Sequence, residues 1–379
     1  MKASSVLSFL SLTSGSLAWE WGKSGKWDSK PLKANGHSTA TINYTTITGF
    51  FQQDDPATDA STFDYTTSNF GLINRTYPTD AQFDPHNRRT QWERFAYYVD
   101  SLNRDCDNNS QYKVLFMARH GEGYHNAAES YYGTPAWNCY WGLLDGNGTV
   151  TWRDARLTPA GLAQCTKAHA FWARALSESH IPAPQSYYSS PLIRSAITAN
   201  LTFDDLPLPR DRPFAPVIKE GFREGISIRT CDARSDRSAI AELLPGFRFE
   251  TGFAEHDPLW RGDEGEGETA EAQLRRTREV MDEVFAQDAN TWISITTHSG
   301  QISKNLQVLG HRAFSLSTGQ VVPALVRARI VGGAGTTTTA PGFTAEATCK
   351  ATPVTSISGQ GCVCGSMTAA AAAATATVA

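Results

Sequence analysis

The chain has 379 residues, 40% of them hydrophobic and 19% charged, with a formal net charge of −4. This is enough apolar material for one large globular domain or two small ones, and it excludes a chain disordered throughout. A slightly acidic balance with no long basic run gives no footprint for nucleic acid, so a phosphorylated ligand would need a local cluster of arginines.

Residues 1–18 carry Lys2, an apolar and small-residue stretch, and Ser16-Leu17-Ala18 before a polar segment, the pattern of a secretory signal peptide. The stretch is too short and too serine-rich to be a transmembrane span. Asn43, Asn74, Asn108, Asn147 and Asn200 each begin an Asn-x-Ser/Thr sequon, which in a secreted chain marks surface glycosylation. The expected location is extracellular, with cell-wall or lipid-anchor association as a variant. Residues 19–109 read as an N-terminal extension, irregular up to about residue 85, that wraps the core.

From Gln91, the spacing of Trp92, Phe95, Tyr98, Val99 and Leu102 predicts a helix. The apolar run Val114-Leu115-Phe116-Met117-Ala118 predicts a buried strand that delivers Arg119 and His120 into the turn at Gly121 and Glu122. Residues 162–176 predict an amphipathic helix through Leu162, Cys165, Ala168, Phe171, Trp172 and Ala175. A strand ending at Ser189 and Ser190 then leads into a helix carrying Arg194. Helix 268–285, strand 292–296, helix 301–309 and strand 324–331 complete an alternating α/β pattern. Residues 332–379 read as a low-complexity Gly/Thr/Ala tail.

The seven cysteines fit an oxidising compartment with one left over. Expected pairings are Cys106 with Cys139 or Cys165 with Cys231 in the body, and a local pair in the tail. Cys362 and Cys364 lack the spacing and the histidine partner of a tetrahedral zinc site. No metal or cofactor is implied, because positive charge comes from arginine and the nucleophile is a side chain.

Chemistry gathers at four chain positions. An arginine holds phosphate oxygens in its fork while a neutral imidazole attacks phosphorus. Arg119 and His120 supply one such pair, Ser190-Pro191-Leu192-Ile193-Arg194 adds an arginine, and His298-Ser299-Gly300 adds a histidine. Phe222-Arg223-Glu224 offers a carboxylate, with Glu220 as the fallback. His125, His169 and His311 read as surface or satisfied core histidines. The stretch 220–237, with Arg223, Arg229 and Arg234, reads first as a charged solvated loop with ion pairs and second as a substrate clamp.

Together Arg119-His120-Gly121-Glu122 with Asn126, Leu157-Thr158-Pro159-Ala160-Gly161, Ser190 to Arg194, and His298-Ser299-Gly300 resemble the histidine phosphatase superfamily, over roughly residues 110–331. The resemblance implies a three-layer α/β/α fold with a mostly parallel central sheet. It implies a phosphomonoester hydrolase in which His120 becomes phosphohistidine and Arg119, Arg194 and His298 bind the phosphoryl group. Asn126 either orients phosphate or caps the next helix. Because Ser299 rather than Asp follows His298, the resemblance points to the branch whose proton donor is a loop glutamate, here Glu224. The blocks 229–234 and 256–260 are similar to fungal and plant phosphoglycerate mutase-like phosphatases. Alternatives are mutase-type phosphoryl transfer and a secreted binding protein that has lost catalysis. The leaving group would be read by the N-terminal segment and by the insertion between Gly133 and Asp154, neither of which carries an interpretable motif.

Overall fold

A computed structural model describes residues 40–332, 341–352, 362 and 364. The signal-peptide expectation and the end of the tail lie outside the described residues. In chain order the elements are β1 (Ala40–Thr46), α1 (Asp80–Phe83), α2 (Gln91–Asp105), β2 (Ser110–Arg119), α3 (Tyr124–Tyr132), α4 (Thr134–Cys139) and α5 (Pro159–Ser177). There follow β3 (Ser186–Ser189), α6 (Ile193–Phe203), β4 (Val217–Ile218), α7 (Arg237–Leu243), β5 (Arg248–Phe249), β6 (Glu266–Glu268), α8 (Ala270–Gln287), β7 (Trp292–Thr297), α9 (Ser299–Val308), β8 (Val321–Gly332) and β9 (Phe343–Ala345).

The main sheet runs β1-β8-β2-β7-β3-β4-β5. The five strands from β2 to β5 are parallel, and β8 and β1 are antiparallel additions at one edge. Alternation along β2 explains the three layers: Val114 and Phe116 join one core with Trp92 and Phe95 of α2 and Phe171 and Trp172 of α5. Leu115 and Met117 point the other way, into a second core with Val280, Met281 and Val284 of α8 and Ile302 and Leu306 of α9. A strand apolar on both faces belongs in the middle of such a sandwich.

The N-terminal segment differs from the irregular stretch expected. It supplies edge strand β1, and Phe50, Phe51, Tyr65, Phe70, Leu72 and Tyr77 complete the aromatic core against α2. The tail likewise holds structure, since β9 pairs antiparallel with β6. Both expected body disulfides are wrong: the bridges are Cys139–Cys362 and Cys349–Cys364, and Cys106, Cys165 and Cys231 are free. Cys106 caps the C-terminus of α2 ahead of β2, Cys139 ends α4 beyond it, and Cys165 Sγ lies 3.7 Å from Thr198 Oγ1. Asn43, Asn74, Asn108 and Asn147 are exposed and Asn200 is half-buried. Among the described residues no helix is long and apolar enough to cross a membrane.

Candidate active site

Three neighbouring parallel strands end side by side and set the site. Arg119 of β2 lies opposite Thr297 of β7, and Ser189 of β3 lies opposite Thr296 of β7. The backbone of His120 is then held from both sides, its N–H donating to Thr297 O (2.9 Å) and its carbonyl accepting from Gly319 N (3.0 Å). The carboxyl ends of parallel strands, where loops diverge, are where an open α/β sheet leaves a crevice.

His120 is buried, and its Nδ1 lies 2.6 Å from Gly121 O. A carbonyl only accepts, so Nδ1 carries the proton and Nε2 holds the lone pair. Arg194 Nε donates to that Nε2 at 3.4 Å, consistent with this tautomer. Burial first, then the Arg194 and Arg119 guanidiniums, hold the imidazole well below its ordinary pKa, partly opposed by the Gly121 hydrogen bond. The ring therefore stays neutral and nucleophilic into acid.

Arg194 projects from the first turn of α6 and is buried, with Nη1 on Cys231 O (2.7 Å) and Nη2 3.5 Å from Asp232. Arg119 Nη1 donates to Leu316 O (2.7 Å), whereas its buried Nε has no partner. His298, the N-cap residue of α9, places its ring centroid 5.0 Å from that of His120. Its Nε2 lies 2.8 Å from Ser190 Oγ and 3.3 Å from Ser195 Oγ, and its buried Nδ1 is unpartnered. Burial, followed by Arg194, also keeps His298 well below the usual histidine range.

Glu224 joins this group at the start of α9, accepting from Gly300 N (3.0 Å) and from Gly225 N (2.9 Å). Burial raises its pKa and outweighs the two backbone hydrogen bonds and the Arg194 charge, while Asp232 adds to the rise. A carboxyl whose pKa is raised keeps its proton to higher pH than a free one and so suits a proton donor. Glu220, the fallback donor, is spoken for: it pairs with Arg223 (3.3 Å) and Arg234 (2.5 Å).

The charged-loop reading of residues 220–237 fails for two of its three arginines. Arg223 and Arg234 are buried; Arg223 forks onto Asp257 at 2.7 and 2.8 Å, and Arg234 donates to Ser235, Ala254, Glu255 and His256 carbonyls. They build the loop that carries Glu224. Arg229 is turned toward Glu346 of the tail (3.3 Å).

Asn126 accepts from Gly123 N (3.0 Å) and so caps α3, the second of its two expected roles. Thr158 caps α5 through Gly161 N and also bonds Glu122 Oε1 (2.6 Å). A Cβ on Gly161 would lie 2.1 Å from Glu122 O, so this glycine is a requirement of close backbone packing behind the His120 turn.

Sequence reasoning missed two residues here. Buried Asp154, with φ of 39°, joins the start of α6 to the arginine-rich loop by accepting from Ile193 N (2.9 Å) and Ser235 N (2.7 Å). Nothing in its local sequence signals this. His125, read as a surface or satisfied core residue, is instead buried with its ring centroid 5.4 Å from that of His120, and its Nδ1 is unpartnered. Its position in the first turn after the His120 loop was the available clue. Of the other two histidines, His169 Nδ1 meets Thr202 O, and His311 Nδ1 meets Arg312 O while its Nε2 lies 3.3 Å from Asp54 Oδ1 without a hydrogen bond.

Among the described residues one group is close enough to share a metal, Cys139, Cys349 and Cys362, with ligand atoms within 4.8 Å of one another. All three are in disulfides and offer no thiolate.

The family model that matches is described as histidine phosphatase superfamily (branch 1) and spans residues 141–314. That span contains Arg194, Glu224 and His298, and Arg119 and His120 precede it. The chain is 44% identical over 302 residues to a probable phosphoglycerate mutase of Arthroderma benhamiae, covering 79% of this chain and 89% of that protein. It is 32% identical over 284 residues to phosphomutase-like protein 3 of Candida albicans, covering 75% and 79%. A crystal structure of phosphoglycerate mutase from Thermus thermophilus aligns at 21% identity and a TM-score of 0.30, over 55% of this chain and 91% of that one.

Proposed function

This chain belongs to the histidine phosphatase superfamily, branch 1, and we propose that it is a phosphomonoester hydrolase working through a phosphohistidine on His120. One observation carries the reading. Two buried nitrogens close to His120 have no partner among the described residues, Nε of the adjoining Arg119 and Nδ1 of His298, whose ring lies 5.0 Å from that of His120, while Arg194 Nε sits on His120 Nε2. Buried polar groups left unpaired cost about 1–3 kcal/mol each, so a fold that keeps them beside His120 is suited to a ligand that satisfies them. A phosphoryl group, with three oxygens and negative charge, fits that set.

In the proposed mechanism His120 Nε2 attacks phosphorus in line and the P–O bond to the leaving group breaks. Glu224 gives its proton to the departing alkoxide. Arg119, Arg194 and His298 stabilise the equatorial oxygens, with His298 donating from Nδ1 while Ser190 Oγ–H bonds its Nε2. Asn126, its oxygen engaged on Gly123, contributes its amide N–H. The Glu224 carboxylate then takes a proton from water, which attacks the phosphohistidine and releases inorganic phosphate and free His120. The substrate is a phosphorylated small molecule.

Mutase-type transfer is the second reading, favoured by the names of the fungal relatives. Hydrolysis is preferred because disulfides and exposed sequons support a secreted chain, which would lack a cytosolic bisphosphorylated primer. A phosphomonoester panel with and without a bisphosphoglycerate primer separates the readings: phosphate release without primer supports hydrolysis, and primer-dependent isomerisation supports transfer. Equal turnover by the wild type and His120→Ala would remove His120 from the nucleophile role.

A further inference from the structure

His125 is not absorbed by the mechanism above. The residue is only 8% exposed, and its buried Nδ1 has no hydrogen-bond partner among the described residues. It faces His120 at 5.4 Å between centroids with the planes tilted by 50°, within electrostatic reach of Arg194 and Arg119. A buried ring nitrogen with nothing to bond is costly unless something else arrives to bond it or the ring turns to offer it.

Gly123 gives an independent sign that this ring is deliberately accommodated. Its backbone, at φ −99° and ψ 161°, is open to any residue, so the glycine is not needed for conformation. A Cβ there would lie 2.7 Å from His125 Nδ1 and 2.8 Å from Cε1, with Arg156 O the next neighbour at 3.4 Å. The missing side chain is the space the His125 ring occupies.

We propose that His125 is a further catalytic residue, a third imidazole of the phosphoryl pocket whose ring N–H donates to an oxygen of the transferred group. The inference rests on the hydrolase reading and extends it. Burial, then Arg194, His120 and Arg119, keep the ring uncharged, so it adds a hydrogen bond without adding another cation. Three neutral rings and two guanidiniums form a pocket that favours a compact, oxygen-rich anion over a carboxylate, which has one oxygen fewer to fill it.

The test uses the full chain with its disulfides intact and calorimetric titration with inorganic phosphate and orthovanadate, alongside turnover of an aryl phosphate. His125→Phe keeps the ring and removes its donor, and His125→Gln restores an N–H donor. The expected result is phosphate and vanadate binding weakened about ten- to a hundredfold in His125→Phe, partly recovered in His125→Gln. Gly123→Ala, which displaces the ring without altering it, weakens phosphate binding in the same direction, while near-ultraviolet circular dichroism reports native packing. Wild-type phosphate affinity retained in folded His125→Phe overturns the role of His125 and leaves the hydrolase reading standing. Absence of phosphate binding and turnover in the wild type itself overturns both.

Discussion

Replacing Glu224 by Gln should slow phosphoryl transfer in a way that depends on the leaving group. Both carboxylate oxygens are engaged, one by Gly225 N and one by Gly300 N, and an amide retains only one acceptor. The orphaned N–H costs about 1–3 kcal/mol and disturbs every substrate alike. Loss of the proton is selective. General acid catalysis contributes about 10²–10⁴ in rate, or roughly 2.7–5.5 kcal/mol of barrier, when the leaving group is a poorly stabilised alkoxide. A nitrophenolate departs without that help. In single-turnover measurements the deficit of Glu224→Gln on an alkyl phosphate should therefore exceed its deficit on nitrophenyl phosphate by about tenfold or more. The wild-type rate on the alkyl ester should fall as pH rises through the raised Glu224 pKa, because the proton is then gone. It should persist on the acid side, because His120 stays neutral well below the ordinary histidine value. The variant should lose the basic limb. Equal losses on both esters, with the basic limb retained, would refute Glu224 as the proton donor.

Arg223→Met should destabilise the chain by about 3–5 kcal/mol in denaturant unfolding, since it leaves the Asp257 carboxylate and the Asp232 carbonyl without their buried partner. Burial raises the Asp257 pKa, but the Arg223 guanidinium more than reverses this and holds it below its ordinary value. The stability from this pair is thus full above the unfolded carboxyl pKa of about 3.9 and is lost as pH falls through the lower folded value. An acid-unfolding curve of Asp257→Asn should lack that component. Gly161→Ala should lower both Tm and kcat, because its Cβ would meet the Glu122 carbonyl behind the His120 turn; an unchanged Tm would show that the two backbones part freely. Replacing Cys139 and Cys362 together by serine should cost about 2–4 kcal/mol, read as a lower urea midpoint, since this bridge closes 223 residues of sequence separation.

The elements with strong periodicity were legible from the sequence. Trp92, Phe95 and Val99 place α2, and the run from Val114 to Ala118 places β2, because burial on one or both faces writes itself into residue spacing. β4 and β5 have two residues each and leave no such record. β1 was hidden because it is an edge strand of mixed sequence, stabilised by pairing with β8 rather than by its own pattern.

In the candidate site, the sequence by itself determined that Arg119, His120, Arg194 and His298 each stand at a strand end or first helical turn, since apolar strand and glycine or proline turn are local properties. Only the tertiary structure decided what those positions share. Arg119 and Ser189 end level with each other because β7, later in the chain, lies between β2 and β3 and pairs with both. The same packing buried Arg223 and Arg234 and paired both with Glu220, where the sequence suggested a solvated loop, and brought the His125 ring to 5.4 Å from that of His120. It also joined Cys139 to Cys362 across 223 residues. Pairing, desolvation and the pKa shifts they cause depend on which groups meet in three dimensions, and spacing along the chain does not encode that.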